Sequence, residues 1–457
     1  MELKKYKLGD VADIVNGATP STHNSENYDG SIIWITPKDL SDQKQKIIRR
    51  GQRNISEIGF NNCSAQMIPP YNILMSSRAP IGLLAINENE CCTNQGFKNL
   101  VLDKSICDTD YMYYYLQFHM KEIEALGSGT TFKEISKSAL QGLEIRLPNL
   151  EKQRDIAKCL SDLDRKIELN KQINDNLEAM AKQLYDYWFV QFDFPDEEGR
   201  PYKSSGGAMV WNEKLKRKIP QGWSNGVLSD VANITMGQSP DGSSYNDDGD
   251  GIIFYQGSTD FGLRFPDIRQ YTTSPSRYAN KGDILMSVRA PVGALNIANN
   301  DCCIGRGLSA LSSKIGSMSH LYYLMNDFRL KFEGMNSAGT TFGAITKDEL
   351  FSLPVIIPTK SVISEFEQVC EPIFDKQMII GEEINALTKQ RNELLPLLMN
   401  GQASVNYHLS AKVYPLPIAY KKAMPIVANQ IISNTFSQKS ASHTPSPCLQ
   451  TSQIRCS

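Results

Sequence analysis

The stretch Ile73-Leu-Met-Ser-Ser-Arg-Ala-Pro-Ile-Gly-Leu-Leu-Ala-Ile86 returns as Ile284-Leu-Met-Ser-Val-Arg-Ala-Pro-Val-Gly-Ala-Leu-Asn-Ile297, with ten of fourteen positions identical. The offset of 211 (284 − 73) holds through the cysteine pairs Cys91-Cys92 and Cys302-Cys303. An offset shared over that length marks a duplicated domain, and such a repeat governs how every other feature is read. Two similar modules that differ locally can recognise two different things.

Each copy opens alike, at Tyr6-Lys-Leu-Gly-Asp-Val-Ala-Asp-Ile14 and Val227-Leu-Ser-Asp-Val-Ala-Asn-Ile234, followed by Gly17 and Pro20 or by Gly237 and Pro240. This reads as a short helix or strand entering a turn. Apolar runs rich in Ile and Val follow: Ile32 to Ile35, Ile73 to Met75 and Leu83 to Ile86, with partners Ile252 to Tyr255, Ile284 to Met286 and Ala294 to Ile297. Such runs predict buried strands. A helix with tyrosines comes next (Tyr111 to Met120; His320 to Arg329), then Gly129-Thr-Thr-Phe132 and Gly339-Thr-Thr-Phe342, and the modules close at Pro148 and Pro358.

Beyond each closing proline the period changes. Ile156, Leu160, Leu163, Ile167, Asn170, Asn174, Leu177, Ala181 and Leu184 recur at spacings of four and three, as do Phe366, Val369, Ile373, Ile380, Ile384, Leu387, Leu394 and Leu398 over much of a second segment. Each is the stripe of a long helix, about 60 Å over some 40 residues and longer than a module of this size requires. Pro372 and Gly381 predict a kink or weak turn in the second. Two such stripes bury best against each other, and an antiparallel pair with the modules at opposite ends closes naturally. The bridge from Asp193 to Lys218 is a linker by composition, and the Ser-, Thr- and Gln-rich tail from about Ser433 is expected to be disordered.

Composition narrows the function classes. The chain has 457 residues, 41% apolar and 21% charged, with formal charge −2, so it does not advertise a nucleic-acid partner as a whole. No window approaches the roughly 20 apolar residues of a membrane span, and the expected location is the cytoplasm. None of the ten cysteines shows CxxC spacing, and none of the five histidines stands beside one, which argues against zinc. The vicinal cysteines read as small buried thiols. Ile68-Pro-Pro-Tyr71 is close to an adenine-methyltransferase motif, but Ile68 offers no polar group to the adenine amine and no glycine-rich cofactor loop accompanies it. A turn at a strand start accounts for it. No phosphate-binding P-loop occurs.

Leu160-Ser-Asp-Leu-Asp-Arg-Lys-Ile-Glu-Leu-Asn170 and Leu184-Tyr-Asp-Tyr-Trp-Phe-Val-Gln-Phe-Asp-Phe-Pro195 carry a family likeness. So do Gly206-Gly-Ala-Met-Val-Trp-Asn-Glu213, Ile219-Pro-Gln-Gly-Trp223 and Leu394-Leu-Pro-Leu-Leu-Met-Asn-Gly401. In order, they resemble the central helix, linker and distal helix of the specificity subunit of type I restriction-modification systems. The likeness runs from about residue 5 to 405, and the last stretch departs from it.

The resemblance implies a mixed α/β chain of two tandem target-recognition domains (1–148 and 221–359), separated by two long helices (149–192 and 360–405) that form an antiparallel coiled-coil spacer with pseudo-twofold symmetry. Residues 193–220 would be the linker and 406–457 a tail. It also implies double-stranded DNA as ligand, two methylation subunits and restriction/translocase subunits as partners, and no catalysis on this chain. S-adenosylmethionine, ATP and magnesium would belong to the partners, and no metal or membrane is expected here. The competing readings are a fused or stand-alone DNA adenine methyltransferase and a structural coiled-coil adaptor.

The duplication sorts candidate DNA contacts. Residues identical in both copies cannot distinguish two half-sites, so Arg78 and Arg289 serve either the phosphate backbone or an internal turn, and the same two readings hold for Thr130, Thr131, Thr340 and Thr341. Base reading is expected where the copies differ. Lys38 to Arg53 holds six basic residues (Lys38, Lys44, Lys46, Arg49, Arg50, Arg53) against Asp39 and Asp42, a net of 6 − 2 = +4. Its counterpart from Ser258 to Arg277 holds Arg264, Arg269 and Arg277. Asn94 and Gln95 against Gly305 and Arg306, and Lys133 against Gly343, are further candidates. Arg matches guanine edges, and Asn or Gln adenine edges; a solvated charged loop is the alternative.

Overall fold

Each module closes on itself by pairing its first strand with its last. In this computed structural model, which describes residues 2–43, 45–128, 133–337 and 343–405, strand Lys4–Lys7 runs antiparallel to Glu144–Leu147, and Ser224–Val227 to Pro354–Ile357. A one-turn helix follows each opening strand, Leu8–Val11 and Leu228–Val231. It is set at the same point by a carboxylate: Asp10 accepts from the Lys7 backbone N–H and Asp230 from that of Val227, both at 2.8 Å. Lys44, Thr130, Thr131, Thr340, Thr341 and the tail 406–457 lie outside the described residues.

The expected apolar runs are strands. The main sheet of the first module has the order Ala12–Asn16, Lys98–Leu102, Ile73–Met75, Leu84–Asn87, Ile47–Ile48, and that of the second Ala232–Met236, Leu308–Ser313, Ile284–Ser287, Leu295–Ile297. A second sheet carries Tyr28–Ile35 in one copy and Ile252–Tyr255 in the other, each paired in parallel with the strand of the vicinal cysteines. Those four cysteines are fully buried, and burial pushes the thiols of Cys91, Cys92 and Cys302 up to about 12. They pack as apolar groups.

Residues 150–185 and 360–399 form the two long helices, Leu150–Tyr185 and Lys360–Met399. Asn149 caps the first, its side chain accepting from the Lys152 N–H at 2.9 Å. Their mutual contacts run in opposite order. Arg391 donates to Asp164 at 2.9 Å, Asn170 to Glu383 at 3.0 Å and Gln377 to Glu178 at 2.8 Å, and Phe366 lies 6.4 Å from Tyr185. Along the expected stripes Ile156, Leu160, Ile167, Phe366 and Ile384 are buried, and Leu163, Leu177, Leu184, Ile373, Leu387 and Leu394 partly so. The apolar stripe skips Gln377, yet that side chain is 0% exposed, and the seam there is polar.

The second helix is unbroken through Pro372 and Gly381, against the weak turn expected there. A proline removes one N–H donor, and packing along both neighbours of a 40-residue helix outweighs that local cost. Gly381 serves another purpose. A Cβ on it would come within 2.6 Å of the Phe265 ring, so its bareness lets the second module dock against the helix.

Residues 193–220 are more ordered than their polar composition suggests. Met209–Asn212 pairs with Arg217–Pro220 in a hairpin, and the buried Asp193 accepts from the Ser204 N–H and hydroxyl, both at 2.7 Å. Phe192, Phe194 and Trp223 join Tyr185, Trp188, Phe189 and Phe366 in one aromatic core at the end of the first helix.

His320 abuts that core, its ring 4.6 Å from Phe189 and 5.7 Å from Tyr185. Its Nδ1 has no hydrogen-bond partner, and burial lowers its pKa from 6.5 to about 3. The unfolded chain therefore binds the proton that the folded chain excludes. Stability is full above pH 6.5 and falls as pH drops towards 3. Between pH 7 and 5 this residue should cost about 2 kcal/mol of unfolding free energy. Urea titrations of the parent and of His320→Leu should then differ in pH dependence by that amount; parallel curves would rule the residue out as the source.

Candidate nucleic-acid interface

The repeated Arg-Ala-Pro-x-Gly segment is a closed turn in both copies. The Ser76 hydroxyl donates to the Pro80 carbonyl at 2.7 Å and accepts from the Leu83 N–H at 2.8 Å. Ser287 does the same with Pro291 and Ala294, at 2.5 and 2.9 Å. Gly82 and Gly293 both hold φ of +87°, a conformation a side chain disfavours. The conserved letters of the repeat thus build the frame.

The arginine in that frame differs between copies in its surroundings. Arg78 Nε lies 3.0 Å from Glu134, which Lys98 also approaches at 3.2 Å. Burial raises the Glu134 pKa, but the bonds from Lys98 and Arg78 outweigh it and hold the carboxyl below its usual range. Arg78 is in this way tied internally. The bridge partner of Arg289 is Ala344 in place of a glutamate, and this exposed arginine has no ion-pair partner among the described residues.

The diverged segments place their basic residues in two ways. Lys38, Arg49, Arg50, Arg53 and Lys133 are exposed on the first module, and Arg269, Arg277 and Arg306 on the second. Arg49 pairs with Glu88 at 2.6 Å. Arg53 holds Asp29 through Nε and Nη2, both at 3.0 Å, while stacking 4.0 Å over Tyr28; its hydrogen bonds draw the Asp29 carboxyl below its usual range. That fixes the guanidinium plane at the rim of a polar hollow also lined by Gln43, Arg50, Gln52 and Asn54. Arg269 stands 3.8 Å from Asp267. Asn94 is half-buried, its side-chain oxygen accepting from the Gly96 N–H at 2.9 Å, whereas Gln95 is exposed and accepts from Thr19.

Lys46 and Arg264 point away from the surface, contrary to the expectation that they read bases. Lys46 Nζ is 2.6 Å from Asp110, 3.0 Å from the Tyr114 hydroxyl and 2.8 Å from Ser161 of the first long helix. Arg264, 7% exposed, donates to Gln377 at 3.1 Å and lies 3.5 Å from Glu178, with Tyr322 and Phe374 under its guanidinium. A buried charge needs such partners. The only signal for them was the tyrosine pair repeated in the module helices, Tyr113-Tyr114 and Tyr322-Tyr323.

Tyr71 and Ile68, of the Ile-Pro-Pro-Tyr segment, lead into strand Ile73–Met75, Ile68 being fully buried. Among the described residues no cluster of three or more His, Cys, Asp or Glu is placed to hold a metal ion, and no helix is long and apolar enough to cross a membrane.

Comparison with known proteins agrees with this architecture. The family model for the type I restriction modification DNA specificity domain matches residues 1–179 and 220–395. The type I restriction enzyme MjaIX specificity subunit of Methanocaldococcus jannaschii is 30% identical, over 87% of this chain and 93% of its own length. The HindI specificity subunit of Haemophilus influenzae is 24% identical over 87% of this chain and 99% of its own. The crystal structure of the S subunit from M. genitalium shares the fold, with a TM-score of 0.57 at 17% identity, covering 87% of this chain and 96% of that one. With two matched blocks that each contain one copy of the repeat and most of the long helix after it, the chain belongs to the type I restriction modification DNA specificity domain family.

Proposed function

We propose that this chain is the sequence-recognition subunit of a type I restriction-modification complex, each module binding one half of a bipartite, non-palindromic DNA site. One observation carries the reading: shared side chains close the frame in both modules, while the segments that differ expose basic residues of their own, Lys38, Arg49, Arg50 and Arg53 in the first and Arg269 and Arg277 in the second. The modules are taken as 1–148 and 221–359, the linker as 193–220 and the tail as 406–457. The helices 149–192 and 360–405 act as an antiparallel coiled-coil spacer related by a pseudo-twofold axis, an assignment supported by the opposite order of their contacts.

In this reading the chain is a non-catalytic cytoplasmic protein. Two methylation subunits dock on the helices and supply S-adenosylmethionine, and restriction/translocase subunits supply ATP and magnesium chemistry. Arg50, Arg53 and Lys38 face DNA from the first module, and Arg269, Arg277 and Arg306 from the second. Arg289 is the better placed of the two frame arginines to meet a phosphate, since it lacks the carboxylate that occupies Arg78. Near-zero net charge fits a reader that shares phosphate neutralisation with its partners.

Mapping adenine methylation across the genome with and without this gene tests the proposal. The expected result is loss of one split motif with two unlike halves. An unchanged methylation pattern in a strain whose partner subunits are active would overturn it.

A further inference from the structure

Lys46 and Arg264 lie in segments whose sequences do not align, yet they occupy the same place in the fold. The Lys46 carbonyl accepts from the backbone N–H of Ile86 at 2.7 Å, and the Arg264 carbonyl from that of Ile297 at 2.9 Å. Ile86 and Ile297 are equivalent residues of the repeat. From that shared point each cation runs inward to the tyrosine pair of its own module and on to the long helices.

The first path is Lys46 to Tyr114, Tyr114 to Asp164 and Asp164 to Arg391, and so touches both helices. Burial, with Asp164 beside it, pushes the Tyr114 hydroxyl far up, so it stays a donor. In the second, Arg264 meets Gln377 and Glu178, and Glu178 also accepts from Tyr323 at 3.2 Å. Phe265, next in sequence, rests on Gly381. The two nodes are 14 residues apart on both helices, 178 − 164 and 391 − 377, which is two heptads and about 21 Å along the axis.

We infer that Lys46 and Arg264 are positioning residues that fix the angle at which each module sits on the paired helices, so that the two half-sites are read at a single gap length. The inference rests on the proposed recognition role. A partly buried ionic node suits this task because its partners must all be met in one geometry, whereas an apolar patch tolerates sliding. The base-reading surface on the same segment is then registered to the spacer through its own backbone.

The test uses the complete methylation complex, with duplexes carrying the split site at the native gap and at gaps one base pair shorter and longer. Lys46→Met and Arg264→Met should narrow the rate difference between native and altered gaps by about 10- to 100-fold, the effect of losing a charge-assisted hydrogen bond or two. Base changes within either half-site should cost these variants as much as they cost the parent. Lys46→Arg and Arg264→Lys should retain part of the gap discrimination. Tyr114→Phe and Tyr323→Phe, which remove one hydroxyl each, carry the test if the methionine variants fold poorly, and they should relax the gap to a smaller degree.

Equal loss of rate on all duplexes, or unaltered gap discrimination in every variant that folds, would overturn the inference. If the parent complex itself methylates no split site, the recognition role fails instead, so the two failures are told apart.

Discussion

Replacing Phe366 by alanine should lower the unfolding free energy by about 3–5 kcal/mol, the usual cost of emptying a well-packed aromatic site. Phe366 is 0% exposed and lies 4.8 Å from Phe189 and 5.6 Å from Trp188, each in a tilted or edge-on arrangement. It joins the second long helix to the end of the first and to the linker aromatics, so neighbours on three sides must collapse to fill the cavity. Urea unfolding followed by tryptophan fluorescence reads the effect directly, since Trp188 and Trp223 share the cluster. Phe366→Leu should lose roughly half as much, because most of the buried area is kept. A loss below about 1 kcal/mol for the alanine variant would mean that this core does not hold the helices together.

Removing one heptad from each long helix, within the 14 residues between the two nodes, should shift the recognised gap or abolish activity. Seven residues shorten each helix by about 10 Å, close to three base-pair steps at about 3.4 Å each. A heptad keeps the apolar seam facing its partner, so the helices can still pair. DNA twists over the same distance, however, and one module must meet a different face of the duplex. Motif mapping of the shortened subunit in its complex would report the new gap. Full activity at the old gap would exclude the helices as the ruler.

Much of the frame was legible because it depends on local, periodic rules. The duplication announced itself through a turn whose serine, proline and glycine are each required by backbone geometry: Ser76 and Ser287 bond across it, and Gly82 and Gly293 need positive φ. The long helices were legible because a stripe of spacings three and four leaves few alternatives. The seam was legible only in part. Gln377 sits at its centre, and a pattern read from apolar residues passes over a buried glutamine whose partners, Glu178 and Arg264, lie 199 and 113 residues away.

The charged segments were legible in the sequence, but the direction of each side chain was not. Six basic residues between Lys38 and Arg53 mark a charged segment, yet sequence assigns no direction to a side chain whose partner is distant. Lys46 turns inward because the fold brings Asp110 and Ser161 to it, and Arg53 stays outward, oriented by Asp29. Arg78 and Arg289 make the point within one motif: the same letters are tied to a carboxylate in one copy and meet an alanine in the other.

Sequence by itself therefore determined that this chain holds two like modules and two long helices, since backbone geometry and apolar period are properties of neighbours along the chain. The tertiary structure alone decided which cations face solvent and which lock the modules to the helices. Charge finds its partner through space, and at these nodes the partners come from elements about 50 to more than 200 residues apart.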